Sequence, residues 1–189
     1  MIINIRGTSG SGKSTLVREV MSLYDRRIAF KEEGRRRPLG YVCYRDRGRP
    51  LAVLGHYETD CGGCDTIPKL DRIFELVGTN HEMGRDVLFE GLLVNSDRNR
   101  TIELDGLFPL IVVTLNTSIE TCLASVNERR QRRAARLGKE LGPVNPRNTE
   151  TKHKLALKNH EKFTEAGLAT FLTNREGARQ VIEETLQLC

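Results

Sequence analysis

Gly7, Thr8, Ser9, Gly10, Ser11, Gly12, Lys13, Ser14 and Thr15 are the residues of this chain whose types and spacing point most directly to chemistry. Glycine, four residues, then Gly-Lys-Ser is the phosphate-binding P-loop pattern. Gly7, Gly10 and Gly12 allow a backbone to approach a ligand where a Cβ would obstruct it. Such a loop turns its N–H groups inward as an anion nest, and the helix that follows adds the positive end of its dipole. Lys13 would then reach the β- and γ-phosphates of a nucleotide, and Ser14 would offer its hydroxyl to Mg²⁺.

Three further groups are candidates. Glu90 closes the apolar run Val87-Leu88-Phe89, and a strand-end acid faces the ligand crevice of a parallel sheet. Glu90 should therefore face Mg²⁺ or an attacking hydroxyl, the plainer alternative being a salt bridge to a surface arginine. In the stretch Gly55-His-Tyr-Glu-Thr-Asp60-Cys-Gly-Gly-Cys64-Asp65-Thr66, Asp60 and Asp65 could orient or deprotonate a hydroxyl acceptor. Asp65 or Thr66 is equally suited to cap the helix expected from Pro68 onward. Cys61, Cys64 and His56 fall short of the four ligands of a structural zinc site, so no metal is expected there. Finally, Arg129, Arg132, Arg133 and Arg136 share one helical face, with Arg130 pointing elsewhere. Arginines that a lid closes over a phosphate site stabilise the transferring phosphoryl group, an effect on the order of 10³–10⁵ in rate. A solvated basic helix, or one that grips nucleic-acid phosphates, is the alternative.

The elements that must position these groups can be read from periodicity. Ile2–Arg6 reads as a buried strand leading into the loop, and Leu16, Val17, Val20, Met21 and Leu23 as the stripe of the helix leaving it. Tyr41–Tyr44 and Leu51–Leu54 form a hairpin about a Gly-Arg-Pro turn. The nearby arginines could line a nucleic-acid groove, with Tyr41, Tyr44 and Tyr57 stacking on bases, or form a solvated loop over core tyrosines. Leu110–Leu115 is a strand, followed by a helix with a Thr117/Glu120 capping box. Gly138, Gly142, Pro143 and Pro146 make a connector, and a returning helix starts at Thr149 or Thr151 and ends at Gly167. A strand over 168–172 and a last helix complete the chain, with the turn between them, 173–177, expected near the nucleotide base. The sum is an α/β P-loop fold in one domain over residues 1–189. It has a parallel five-stranded sheet flanked by helices, an inserted β-hairpin and an Arg-rich lid at about 129–150.

Composition sets bounds on this reading. At 189 residues, 38% hydrophobic and 29% charged, the chain suits one folded domain. The longest apolar run falls far below the roughly 20 residues of a membrane span, and the first strand leaves no room for a leader. Five cysteines, an odd number, fit reduced thiols in a cytoplasm. A net charge of +5 favours anionic partners weakly.

Taken together, the P-loop, the Val87-Leu-Phe-Glu-Gly91 strand end and the arginine-rich segment resemble the P-loop nucleoside and nucleotide kinases, thymidylate and polynucleotide kinases among them. That resemblance covers essentially the whole chain and implies ATP as donor and Mg²⁺ as metal. It also implies Walker roles for Lys13 and Ser14, a catalytic acid at Glu90, and lid arginines at Arg129 and Arg133. Glu90-Gly91 stands where thymidylate kinases carry an Asp-Arg pair, a departure that argues against a monophosphate acceptor. The Gly55–Thr66 stretch is similar to that of bacteriophage 5-hydroxymethyluracil DNA kinases. It implies phosphorylation of a base hydroxymethyl in DNA containing a modified pyrimidine, a step in thymidine hypermodification that protects phage genomes from restriction. A small-molecule nucleoside or nucleotide kinase and a nucleic-acid-binding ATPase switch are the other readings. A C5 hydroxymethyl projects into the major groove, where an enzyme could reach it directly or after flipping the base.

Overall fold

A computed structural model describes residues 1–59 and 62–188. Strand β1 (Ile2–Arg6) is buried along its whole length, as a strand covered on both faces must be. It lies between β5 (Asp86–Glu90) and β6 (Leu110–Leu115), parallel to both. With β2 (Arg26–Phe30), β3 (Gly40–Tyr44), β4 (Leu51–Leu54) and β7 (Ala169–Thr173), the order across the sheet is β2-β3-β4-β5-β1-β6-β7. From β4 to β7 every neighbouring pair is parallel, whereas β2 and β3 run antiparallel to their neighbours. The sheet is thus mixed and seven-stranded, which corrects the expectation of a five-stranded parallel sheet with a separate hairpin. The β3–β4 hairpin exists, but β4 is itself a member of the parallel set, and β2 extends the edge.

Strand β2 escaped the sequence reading for a physical reason. It is an edge strand, mostly exposed, and opens with Arg26-Arg27 in place of an alternating apolar pattern. Its register comes from pairing with β3, Arg26 opposite Tyr44 and Phe30 opposite Gly40.

Two apolar layers hold the sheet. On one face Ile3 and Ile5 pack with Leu16, Val17 and Val20 of α1 (Lys13–Met21) and Ile182 of α7 (Arg175–Thr185). On the other, Ile2, Phe89 and Val112 meet Ile73 and Val77 of α2 (Leu70–Glu82) and Phe163. The alternation along β1 is the period of two that a pleated strand imposes. Leu23, assigned to the first helical stripe, lies beyond the end of α1 and is exposed.

Between β5 and β6 come two short helices, α3 (Leu92–Ser96) and α4 (Asn99–Asp105). Helix α5 (Ile119–Leu137) is capped by Ser118, whose hydroxyl accepts from Thr121 N at 3.2 Å; Thr117 is not the cap. Helix α6 (Pro146–Glu165) begins earlier than Thr149, capped by Asn145 with Pro146 in its first turn, where a missing N–H does no harm. Gly167, at φ 82°, ends it as expected. Among the described residues no helix is long and apolar enough to cross a membrane.

The sheet has two rims with different contents. The parallel strands all deliver their C-terminal ends to one rim, which holds the P-loop, Glu90 and the loop after Leu54. Since Phe30 pairs with Gly40 and Gly40 with Leu54, the 31–39 connector between β2 and β3 lies at that same rim. The 45–50 turn lies at the opposite one. There Arg45 Nη2 donates to the carbonyls of Leu186 and Gln187, both at 3.0 Å, and Arg49 Nε to that of Gly84 at 3.0 Å. These arginines therefore sit at the rim opposite the P-loop and Glu90. Tyr41 and Tyr57 are buried in the core and present no face to a base.

Candidate active site

The P-loop takes the conformation its glycines permit. Gly7, Gly10 and Gly12 all have positive φ, and a Cβ at Gly10 would run into the carbonyl oxygen of Cys122 on α5. Lys13 opens α1, only 7% exposed, and its Nζ donates to the carbonyls of Gly7 (2.8 Å) and Thr8 (3.0 Å). Burial pulls its pKa down, the nearby Glu90 and Asp65 carboxylates acting against that.

Ser14 Oγ donates to Glu90 Oε1 at 2.7 Å, joining the loop to the end of β5. Glu90 is 2% exposed, and desolvation raises its pKa against the opposing effects of Lys13 and the Ser14 hydrogen bond. A Cβ at Gly63 would collide with the Glu90 carboxylate, so the Gly62-Gly63 pair lets the loop after β4 close over this acid. His56 N and Gly63 O, and Gly63 N and His56 O, pair across that loop. Arg18 of α1 reaches the same loop, its Nη1 lying 3.5 Å from Tyr57 O and 3.4 Å from Thr59 O.

Asp65 has a structural task. Its Oδ1 accepts from Leu92 N (2.7 Å) and Leu93 N (3.3 Å), capping α3 directly after Glu90-Gly91. It is a helix cap as one reading held, but of α3 and not of α2, whose N-cap is Lys69. Asp60 and Cys61 lie outside the described residues. Cys64 is buried, its thiol 3.6 Å from Leu54 O.

A cleft of about 1020 Å³ runs from the P-loop outward. Residues 9–15 and Glu90 line its floor; Arg129 and Arg132 of α5 line one wall, and Asn174, Arg175 and Arg179 at the start of α7 another. The 173–177 turn lines the same cleft as the P-loop through Asn174, Arg175 and Glu176. Of the two arginines singled out on α5, Arg129 faces the cleft, while Arg133 is exposed and Arg132 takes the lining position next along. Arg132 also pairs with Glu128 at 2.7 Å. The α5–α6 connector is stitched to α5 by Arg130 Nε to Gly142 O (2.8 Å) and Val144 N to Asn127 Oδ1 (2.9 Å).

Two residues without an assigned role hold the loop from below. Asn95 of α3 accepts from Gly7 N at 2.9 Å through its side-chain oxygen, while its carbonyl accepts from Arg6 Nη1 (3.2 Å) and Asn159 Nδ2 (3.0 Å). Arg6, fully buried, also donates to Asn4 Oδ1 and Thr101 Oγ1, both at 2.6 Å, and stacks 4.5 Å over Phe163. Burial brings its pKa down to about 9, still leaving it charged at neutral pH. The signal for Arg6 was present in the sequence, a lone charge ending an apolar strand. For Asn95 there was none, because its partner lies 88 positions away.

No family model matches the chain. It is 48% identical to a 5-hmdU DNA kinase of Pseudomonas phage PaMx11 over 188 residues, 98% of this chain and 97% of that protein. A 5-hmdU DNA kinase of Delftia phage PhiW-14 is 42% identical over 66 residues, 35% of this chain and 22% of the relative. The structure of deoxyadenosine kinase from M. mycoides, solved with dCMP and dCDP, is similar at a TM-score of 0.51. That likeness covers 99% of this chain and 98% of the other at 15% identity, and it is one of fold.

Proposed function

The chain belongs to the phage 5-hmdU DNA kinases, and from that premise we propose that it transfers the γ-phosphoryl group of ATP to the hydroxymethyl oxygen of 5-hydroxymethyluracil in DNA. The observation that carries the chemistry is the Ser14–Glu90 contact: a buried carboxylate with a raised pKa stands at the mouth of a P-loop. A carboxylate desolvated in this way is a better proton acceptor than one in water, as a hydroxymethyl group, a poor nucleophile while protonated, requires.

The roles follow from position. The loop N–H groups and Lys13 hold the β- and γ-phosphates, the ammonium exchanging the Gly7 and Thr8 carbonyls for phosphate oxygens. Glu90 takes the hydroxyl proton as the oxygen attacks phosphorus; the O–P bond forms as the β,γ-bridging bond breaks, and ADP leaves. Ser14 and Glu90 are also the oxygen donors that would hold Mg²⁺ at the helix start, for Glu90 as the alternative to its part as base, and the ion would supply charge neutralisation on the transferring phosphates. Arg129 and Arg132 supply positive charge from the cleft wall, which is the lid role. Asp60 remains a candidate to orient the acceptor, and Asp65, occupied at α3, is a positioning residue.

The deciding experiment is an acceptor screen with labelled ATP across free nucleosides, monophosphates, plain DNA and hydroxymethyluracil DNA. Label in the modified DNA alone supports the reading. Label confined to nucleosides or monophosphates indicates a small-molecule kinase, and free phosphate alone an ATPase.

A further inference from the structure

The 31–39 connector at the catalytic rim carries Lys31, Arg35, Arg36 and Arg37 against Glu32 and Glu33. Glu32 is already engaged by Arg72 at 2.7 Å, so the balance that remains is positive. The connector is anchored rather than loose. Arg35 Nη2 donates to Thr66 O at 2.9 Å, and Arg35 N to Glu32 O at 3.1 Å. At its base Leu39 N donates to Phe30 O (2.8 Å), while Gly55 N, which opens the loop over Glu90, donates to Leu39 O (2.7 Å). Arg36 and Arg37 remain exposed.

Arg35 is thus held at Thr66, one short 3-10 turn from Gly63, which lies against the Glu90 carboxylate. At about 2 Å of rise per residue that turn puts the arm on the order of 10 Å from the reacting centre. Successive phosphates of one strand are about 3.4 Å apart along a duplex axis, so the arm falls within a few nucleotides of a base presented to Glu90. A cation set at that distance matches the spacing of a substrate strand. It has no such relation to ATP, whose cradle lies on the other side of Glu90.

Resting on the DNA-kinase reading, we infer that this arm grips the phosphate backbone of the substrate strand through Arg36 and Arg37, with Arg35 fixing its position. The arginines of the 45–50 turn, at the opposite rim, do not take part. The fold therefore contains its own control, since Arg47 is also exposed and carries the same charge but lies at the opposite end of the sheet.

The test compares wild type, the Arg36→Ala/Arg37→Ala double variant and Arg47→Ala by fluorescence anisotropy on a hydroxymethyluracil-containing duplex over a salt series. Thermal melting and the KM for ATP are measured alongside. The double variant should bind about tenfold more weakly or worse, with the slope of log K against log salt shallower by about 2. Its melting temperature, KM for ATP and kcat at saturating DNA should be unchanged, and Arg47→Ala should match wild type throughout. Equal affinity and slope in the double variant would overturn the inference, as would an equal loss in Arg47→Ala or a fall in kcat with affinity intact. Anisotropy reads the arm whether or not phosphate is transferred. A wild type that binds through the arm yet labels no modified DNA removes the kinase reading and leaves the arm standing.

Discussion

At the scale of single residues, the site turns on how burial treats two opposite charges. Desolvation raises the pKa of Glu90 and lowers that of Lys13, so each is held closer to neutrality than in water. Replacing Glu90 with Gln should lower kcat by on the order of 10²–10⁴ while altering ATP affinity far less; a loss confined to Mg²⁺ affinity would instead make it a metal-holding residue. The pH dependence has a definite sign. A carboxyl raised from 4.5 in the fold contributes stability at low pH that is lost as pH rises through its own pKa. Nucleotide-free Glu90→Gln should therefore melt above wild type at neutral pH, the gap closing as pH falls toward 4.5. Lys13→Ala should abolish turnover with an unchanged circular dichroism spectrum. The P-loop residues and Glu90 could all be found in the sequence because their chemistry is written in contiguous runs. Asp65 could be seen as a cap but not assigned to α3, because capping rules look only a few positions ahead while Leu92 lies 27 positions on.

At the scale of elements, the five-residue α3 does more than its length suggests. It follows Glu90-Gly91, is capped by Asp65 and presents Asn95 to Gly7, so the acid and the first glycine of the P-loop share one support. Asn95→Ala would leave the buried Gly7 N–H without its acceptor, a destabilisation of about 1–3 kcal/mol. Thermal melting should show that loss together with a raised KM for ATP, whereas a stability loss with KM unchanged would assign Asn95 to folding alone. Strands β1, β5 and β6 were legible because parallel strands buried on both faces are continuous apolar runs. Strand β2 was not, because tertiary pairing and not local pattern makes it a strand. The hairpin was read correctly as a local unit; its membership of the main sheet depends on β5, far along the chain.

For the whole molecule, the net charge of +5 matters less than its distribution between two rims. Saturating nucleotide with Mg²⁺ at about 100 times its Kd should stabilise the protein by about 2.7 kcal/mol, or about 5–10 °C in melting temperature. A scanning calorimeter finding no shift would remove the donor site. The resting cradle also bears on turnover. Because Lys13 rests on the carbonyls of Gly7 and Thr8, departure of a spent diphosphate would not strand an ammonium group in a dry pocket. On the proposed reaction, the backbone that yields the lysine to an incoming donor would take it back afterwards, and the loop would act as a reversible latch that eases product out as well as holding substrate in.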